Sequence, residues 1–181
     1  MPARRAPANH FIDADISIDD GDWSWLKNAE ESVRRAVHSV PRSCASNLGV
    51  ASVAISLSSD VIIRDLNCRY RGKNKATNVL SFPALAGSAE GFLGDIIIAV
   101  ETVVREAEES GVPGEHHLQH LVVHGVLHLL GFDHENDRDA ERMEAVEIEI
   151  LEKMGIENPY TEPLEGGTKQ SGTRRPDKAI R

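Results

Sequence analysis

Three histidines in the stretch HGVLHLLGFDH, at positions 124, 128 and 134, have the spacing of a metal site. Residues four apart on a helix lie one above the other, so His124 and His128 present two imidazoles to one point. Gly131 can end that helix and turn the chain without a Cβ penalty, which lets His134 swing back to the same point as a third ligand. Three neutral nitrogen ligands on zinc leave a fourth position for water, and an open position belongs to catalytic sites more often than to structural ones. A cation there lowers the pKa of its bound water toward neutrality and polarises a carbonyl or phosphoryl oxygen, which suits hydrolysis. Three imidazoles also suit nickel or copper, so the spacing leaves the metal in the cell unselected. Asp133 has three readings: it orients a liganding imidazole, accepts a proton from the metal-bound water, or caps the local turn. His120, one turn before His124, reads as a packed histidine, with a place behind the metal ligands as the alternative. His10, His38, His116 and His117 are assigned no role.

Apart from one position, the motif has the spacing HExxHxxGxxH of the metzincin proteases. Residue 125 is glycine where those enzymes carry the glutamate that serves as general base. Attack on a peptide bond lacks its proton acceptor, so either a substrate that is easier to activate or a base from elsewhere is required. Phosphodiester cleavage fits, because its transition state is anionic and the RNA 2′-hydroxyl can itself be the nucleophile. The charge distribution agrees. The net charge is −9, which argues against indiscriminate binding to polyanions. Between positions 64 and 75, however, Arg64, Arg69, Arg71, Lys73 and Lys75 face Asp65 alone, a local +4 that leaves −13 for the remainder. This run is either a solvated loop between strands or a phosphate-binding patch centred on Arg69, Arg71, Lys73 and Lys75.

The elements that must position these residues follow from periodicity. Trp23, Leu26, Ala29, Val33, Ala36, Val37 and Val40 predict an amphipathic helix over 23–40, stopped by Pro41. Val53, Ile55 and Leu57 alternate with small polar residues and predict a strand, followed by a long turn carrying the basic run. Segments 78–85 and 92–100 read as two neighbouring strands, and 101–110 as a helix. The histidine helix is expected over 115–130. The last helix is capped by Asn136 or Asp137, carries the apolar stripe Met143, Val146, Ile150, Leu151 and Met154, and ends near Gly155. Residues 161–181 lack a hydrophobic period and read as a disordered tail behind a single domain over 1–160. No stretch is apolar enough for a membrane span, and the start has no apolar run behind its basic residues, so the chain reads as soluble and cytoplasmic. Cys44 and Cys68 lack the spacing of a disulfide framework or a thiolate site and read as reduced thiols.

HGVLHLLGFDH, together with YRGKNKATNVLSF (70 to 82) and FLGDI (92 to 96), resembles the YbeY family of bacterial metal-dependent endoribonucleases. The resemblance covers residues from about 50 to 160, with the three motifs in the family's order; the first 50 residues and the tail match only loosely. The resemblance implies an α+β, zincin-like single domain, with a small mixed sheet packed by helices and the metal site on a central helix. It implies one zinc held by His124, His128 and His134, and cleavage of single-stranded RNA. It further implies a role at the 3′ end of small-subunit (16S) rRNA and in ribosome quality control. Arg71 matches the arginine that faces the family's metal cleft. Asp95 matches the aspartate of the LGD segment, either a buried structural carboxylate or a catalytic one. Phe132 stands where the family often has tyrosine. Small-subunit proteins and an assembly GTPase are partners that the resemblance leaves open. The competing reading is a non-catalytic ribosome assembly factor, in which the metal holds the fold and the basic patch docks on rRNA.

Overall fold

The computed structural model describes residues 11–46, 48–132 and 136–161. Among the described residues the sheet has four strands, and the first, β1 (Ile12–Ile18), was not expected. Ile12 and Ala14 are buried while Asp13 and Asp15 are exposed, a period of two hidden by aspartates that strands ordinarily disfavour. Strands β2 (Ala51–Ser58), β3 (Val79–Pro83) and β4 (Phe92–Ala99) complete it in the order β1-β2-β4-β3. The pairs β1–β2 and β2–β4 are parallel, and β3 runs antiparallel along β4 as an edge strand. The alternation expected in β2 is present, with Val53, Ile55 and Leu57 all buried.

Helices α1 (Ala29–Ser39), α2 (Asp60–Arg71), α3 (Val100–Ser110), α4 (Gly114–Leu129) and α5 (Asp137–Lys153) cover this sheet. One large core joins Val33, Ala36 and Val37 of α1 and Leu118, Leu121 and Leu127 of α4 to Val53, Ile55, Ile96 and Ile98 of the sheet. Met143, Ile150 and Leu151 of α5 close the same core, as their spacing predicts. A smaller core of Ile63, Leu80 and Ala99 holds α2 against the sheet. The architecture is the α+β class with a mixed sheet that the motifs implied. No described helix is long and apolar enough to cross a membrane.

Two boundaries differ from expectation. The first helix starts at Ala29 rather than residue 23, because Asn28 adopts a left-handed conformation at the N-cap. Trp23 is nonetheless buried, with its indole N–H directed at the carbonyls of Asp20 (3.2 Å) and Ser58 (3.3 Å). The basic run is not a long turn: Arg64, Arg69 and Arg71 lie on α2. Ser59 caps that helix by accepting from the Ile62 N–H, and Ile63 and Asn67 supply its buried side. Dense charge masked an amphipathic period in which only one stripe needed to be apolar.

Candidate metal centre

The histidine helix is central. Every residue of α4 from Leu118 to His128 is buried, so its imidazoles lie among packed side chains. The helix ends at Leu129, Leu130 caps it, and Gly131 follows at φ +90°. That conformation carries no Cβ penalty for glycine. It lets the Gly131 N–H bond the His128 carbonyl (2.9 Å) and the Phe132 N–H bond the Leu127 carbonyl (3.0 Å), the paired closure of a Schellman turn. The turn also delivers the Phe132 carbonyl to His128 Nδ1, which donates to it at 2.9 Å.

His124 is oriented by a residue that the sequence reading missed. Glu147 of α5 is fully buried, and its Oε1 accepts from His124 Nδ1 at 2.6 Å. Its Oε2 accepts from His120 Nε2 at 3.3 Å and from the hydroxyl of Tyr160. Burial alone would raise this carboxyl, but the facing His124 and His120 imidazoles and their hydrogen bonds hold it well below the usual carboxylate range. Burial pushes His120 the other way, toward the neutral ring. His120 is therefore both a packed histidine and part of the layer behind His124. Glu147 did leave a trace in the sequence. It lies four residues from both Met143 and Leu151, a lone charge inside an apolar stripe.

In the neutral tautomer in which Nδ1 donates, a ring leaves its Nε2 lone pair available to a cation. The two Nε2 atoms approach to 2.9 Å, a separation that requires a proton or a metal cation between them. Two buried imidazoles whose far nitrogens are fixed by a carboxylate and a carbonyl match the way proteins orient metal-binding histidines. The donor set fits zinc. Its expected third member, His134, and the neighbouring Asp133 lie outside the described residues. Replacing Glu147 with glutamine is expected to weaken zinc binding by about 10–100-fold, the usual cost of losing a ligand's hydrogen-bonding support. Competition with a chromophoric chelator reads that change directly; an unaltered affinity would mean that packing alone orients His124.

Gly125 answers the question raised by the motif. A Cβ built there would lie 3.0 Å from Ile96 Cδ1 and 3.1 Å from Ser81 Oγ, tighter than ordinary packing allows. The Ser81 hydroxyl also donates to the Gly125 carbonyl at 3.4 Å. Position 125 thus faces the sheet, and glycine lets the helix settle onto strands β3 and β4.

The remaining predicted residues scatter around α2 and β4. Arg71 ends α2, half-buried, with its Nε and Nη2 atoms out of solvent. Arg69, Lys73 and Lys75 are exposed, and Arg69 pairs with Asp65 at 2.9 Å. The reading of Asp95 as a buried carboxylate fails: it is exposed on β4, opposite Phe82. It stands on the sheet face away from Ile96 and Ile98, which point into the main core. Among histidines given no role, His117 pairs with Glu106 at 2.8 Å, a contact between α4 and α3.

The endoribonuclease YbeY family matches residues 17–155, which carries the resemblance back from residue 50 through α1. An endoribonuclease YbeY of Bradyrhizobium diazoefficiens is 49% identical over 147 residues, covering 77% of this chain and 80% of the relative. One from a Bradyrhizobium strain, BTAi1, is 46% identical over 169 residues, covering 90% and 97%. Another, from Azorhizobium caulinodans, is 46% identical over 160 residues, covering 86% of this chain and all of the relative. The chain belongs to the endoribonuclease YbeY family.

Proposed function

We propose that this protein is a zinc-dependent endoribonuclease of the cytoplasm that cuts single-stranded RNA at the 3′ end of small-subunit rRNA precursor, in rRNA maturation and ribosome quality control. The convergence of His124 and His128 through Nε2, each ring held from behind, carries the reading. His124, His128 and His134 hold one zinc ion. When bound, the ion supplies a Lewis acid for a phosphoryl oxygen and a water of lowered pKa.

The chain's own residues do the rest. Glu147 and the Phe132 carbonyl keep both Nε2 lone pairs turned to one point. Tyr160 and His120 saturate the second oxygen of Glu147 and stop that carboxylate from turning away. Arg71 neutralises charge on the phosphodiester, and Arg69, Lys73 and Lys75 hold the backbone on either side. Asp133 takes the proton released at the attacking oxygen. Residues 1–160 form the working domain, and no step is assigned to 161–181. Ribosomal small-subunit proteins and an assembly GTPase are the candidate partners for such a role.

The assembly-factor reading is the weaker one. A structural zinc commonly takes four protein ligands, thiolates among them. Cys68 is exposed on α2, and Cys44 sits in the turn after α1. The deciding experiment offers zinc-loaded protein a labelled RNA spanning the precursor 3′ end, free or annealed to its complement. Cutting of the free strand and sparing of the duplex is expected. No cutting of either, with zinc bound and the fold intact, would overturn the enzyme reading and favour the assembly factor.

A further inference from the structure

We propose that Tyr70 and Phe82 form a stacking platform for one unpaired base of the RNA, beside the histidine site; this rests on the endoribonuclease reading above. Tyr70 lies in the last turn of α2 and is 65% exposed, against 39% for Trp25, the other exposed aromatic among the described residues. Its ring meets Phe82 edge-to-face, with centroids 5.1 Å apart and planes at 63°. Phe82 is half-buried on β3 and packs on the small core of Ile63, Leu80 and Ala99. One aromatic is thus anchored in the sheet, and it fixes a second that stays largely in solvent.

A single exposed aromatic needs no functional explanation. Here two further features coincide with it. Arg69, Lys73 and Lys75 are exposed within five residues of Tyr70, on a chain that is otherwise strongly acidic. Aromatic faces interleaved with cations are how proteins hold single strands, the rings stacking on bases and the cations tracking phosphates. The platform also adjoins the histidines through one strand. Ser81 touches the carbonyl of Gly125, the residue after His124, and Phe82 follows Ser81 on β3. Successive strand residues point to opposite faces, so Ser81 faces α4 while Phe82 faces α2. Because β3 is an edge strand, RNA crossing that edge reaches from the platform to the histidine side. The stacked base therefore belongs to a nucleotide flanking the cut, not to the one being cut.

The test measures binding of zinc-loaded full-length protein to a fluorescent 2′-O-methyl single strand by anisotropy over a range of salt, with RNA cleavage followed in parallel. Tyr70→Ala is expected to bind at least about fivefold more weakly, the lower end for loss of one stacked base, with an unchanged salt slope. Tyr70→Phe should restore wild-type affinity. Arg69→Ala should instead flatten the salt slope by about one ion, as a phosphate contact does. Wild-type affinity in Tyr70→Ala, in a protein that still cuts RNA, would overturn the platform alone and point Tyr70 toward a protein partner. Weaker binding with a flatter slope would overturn it too, since the loss would then be ionic. If the wild type neither binds nor cuts, both the platform and the endoribonuclease reading fall.

Discussion

Alanine in place of His124 is expected to remove zinc and to reduce RNA cleavage by roughly a thousandfold or more, because several kcal/mol of transition-state stabilisation leave with the ion. The same change strips Glu147 of its 2.6 Å partner. A fully buried carboxylate that loses a donor costs about 1–3 kcal/mol, so the variant should also melt earlier. His120→Ala separates the two effects. It removes a donor to the same carboxylate but leaves both Nε2 atoms of the site in place. That variant should lose stability while retaining zinc and much of its cleavage. Single-turnover rates with metal content measured on the same samples provide the check. A His124→Ala protein that cuts at the wild-type rate would remove the histidines from the mechanism.

Glutamate at position 125 would complete a protease-like HExxH, and it is expected to yield a damaged fold rather than a protease. The Cβ alone would press on Ile96 and Ser81, and the carboxylate beyond it would enter the buried interface between α4 and the sheet with no cation among its nearest neighbours. Overpacking costs about 1–3 kcal/mol, and an unpaired buried charge adds several more before it shifts its pKa. Gly125→Ala gauges the steric part. Alanine gains about 1 kcal/mol of helix propensity over glycine and loses a similar or larger amount to crowding, so a modest drop in Tm is expected. Thermal melts of both variants, with a casein-hydrolysis assay, read the outcome. A Gly125→Glu protein that melts with the wild type, or digests casein, would show that α4 can lift from β3 and β4.

What was legible in the sequence was what repeats locally. The i, i+4 pair His124 and His128, the Gly131 stop, the alternation of β2 and the stripe of α5 all follow from periods that a few residues reveal. Features that depend on residues distant in the chain were harder to read. Glu147 meets His124 across 23 positions of sequence, and nothing around it says that its partner is a histidine. Tyr160 reaches His120 over 40 positions, from the end of the described chain. The aspartates of β1 and the arginines of α2 disguised real periods, because each element buries only one side and leaves the other free to carry charge. Asp95 went astray for the same reason. It alternates with buried isoleucines on a strand whose second face is only partly covered.

Stepwise return of zinc to chelated protein separates a catalytic cation on the buried histidines from a structural one. The chelated sample should keep most of its secondary structure by circular dichroism and cut no single-stranded RNA. Cleavage should then rise linearly and level off at about one equivalent of zinc, as a single three-ligand site requires. Full cleavage without metal, or an apo protein that has lost its fold before any zinc is added, would rule out a catalytic cation at these histidines.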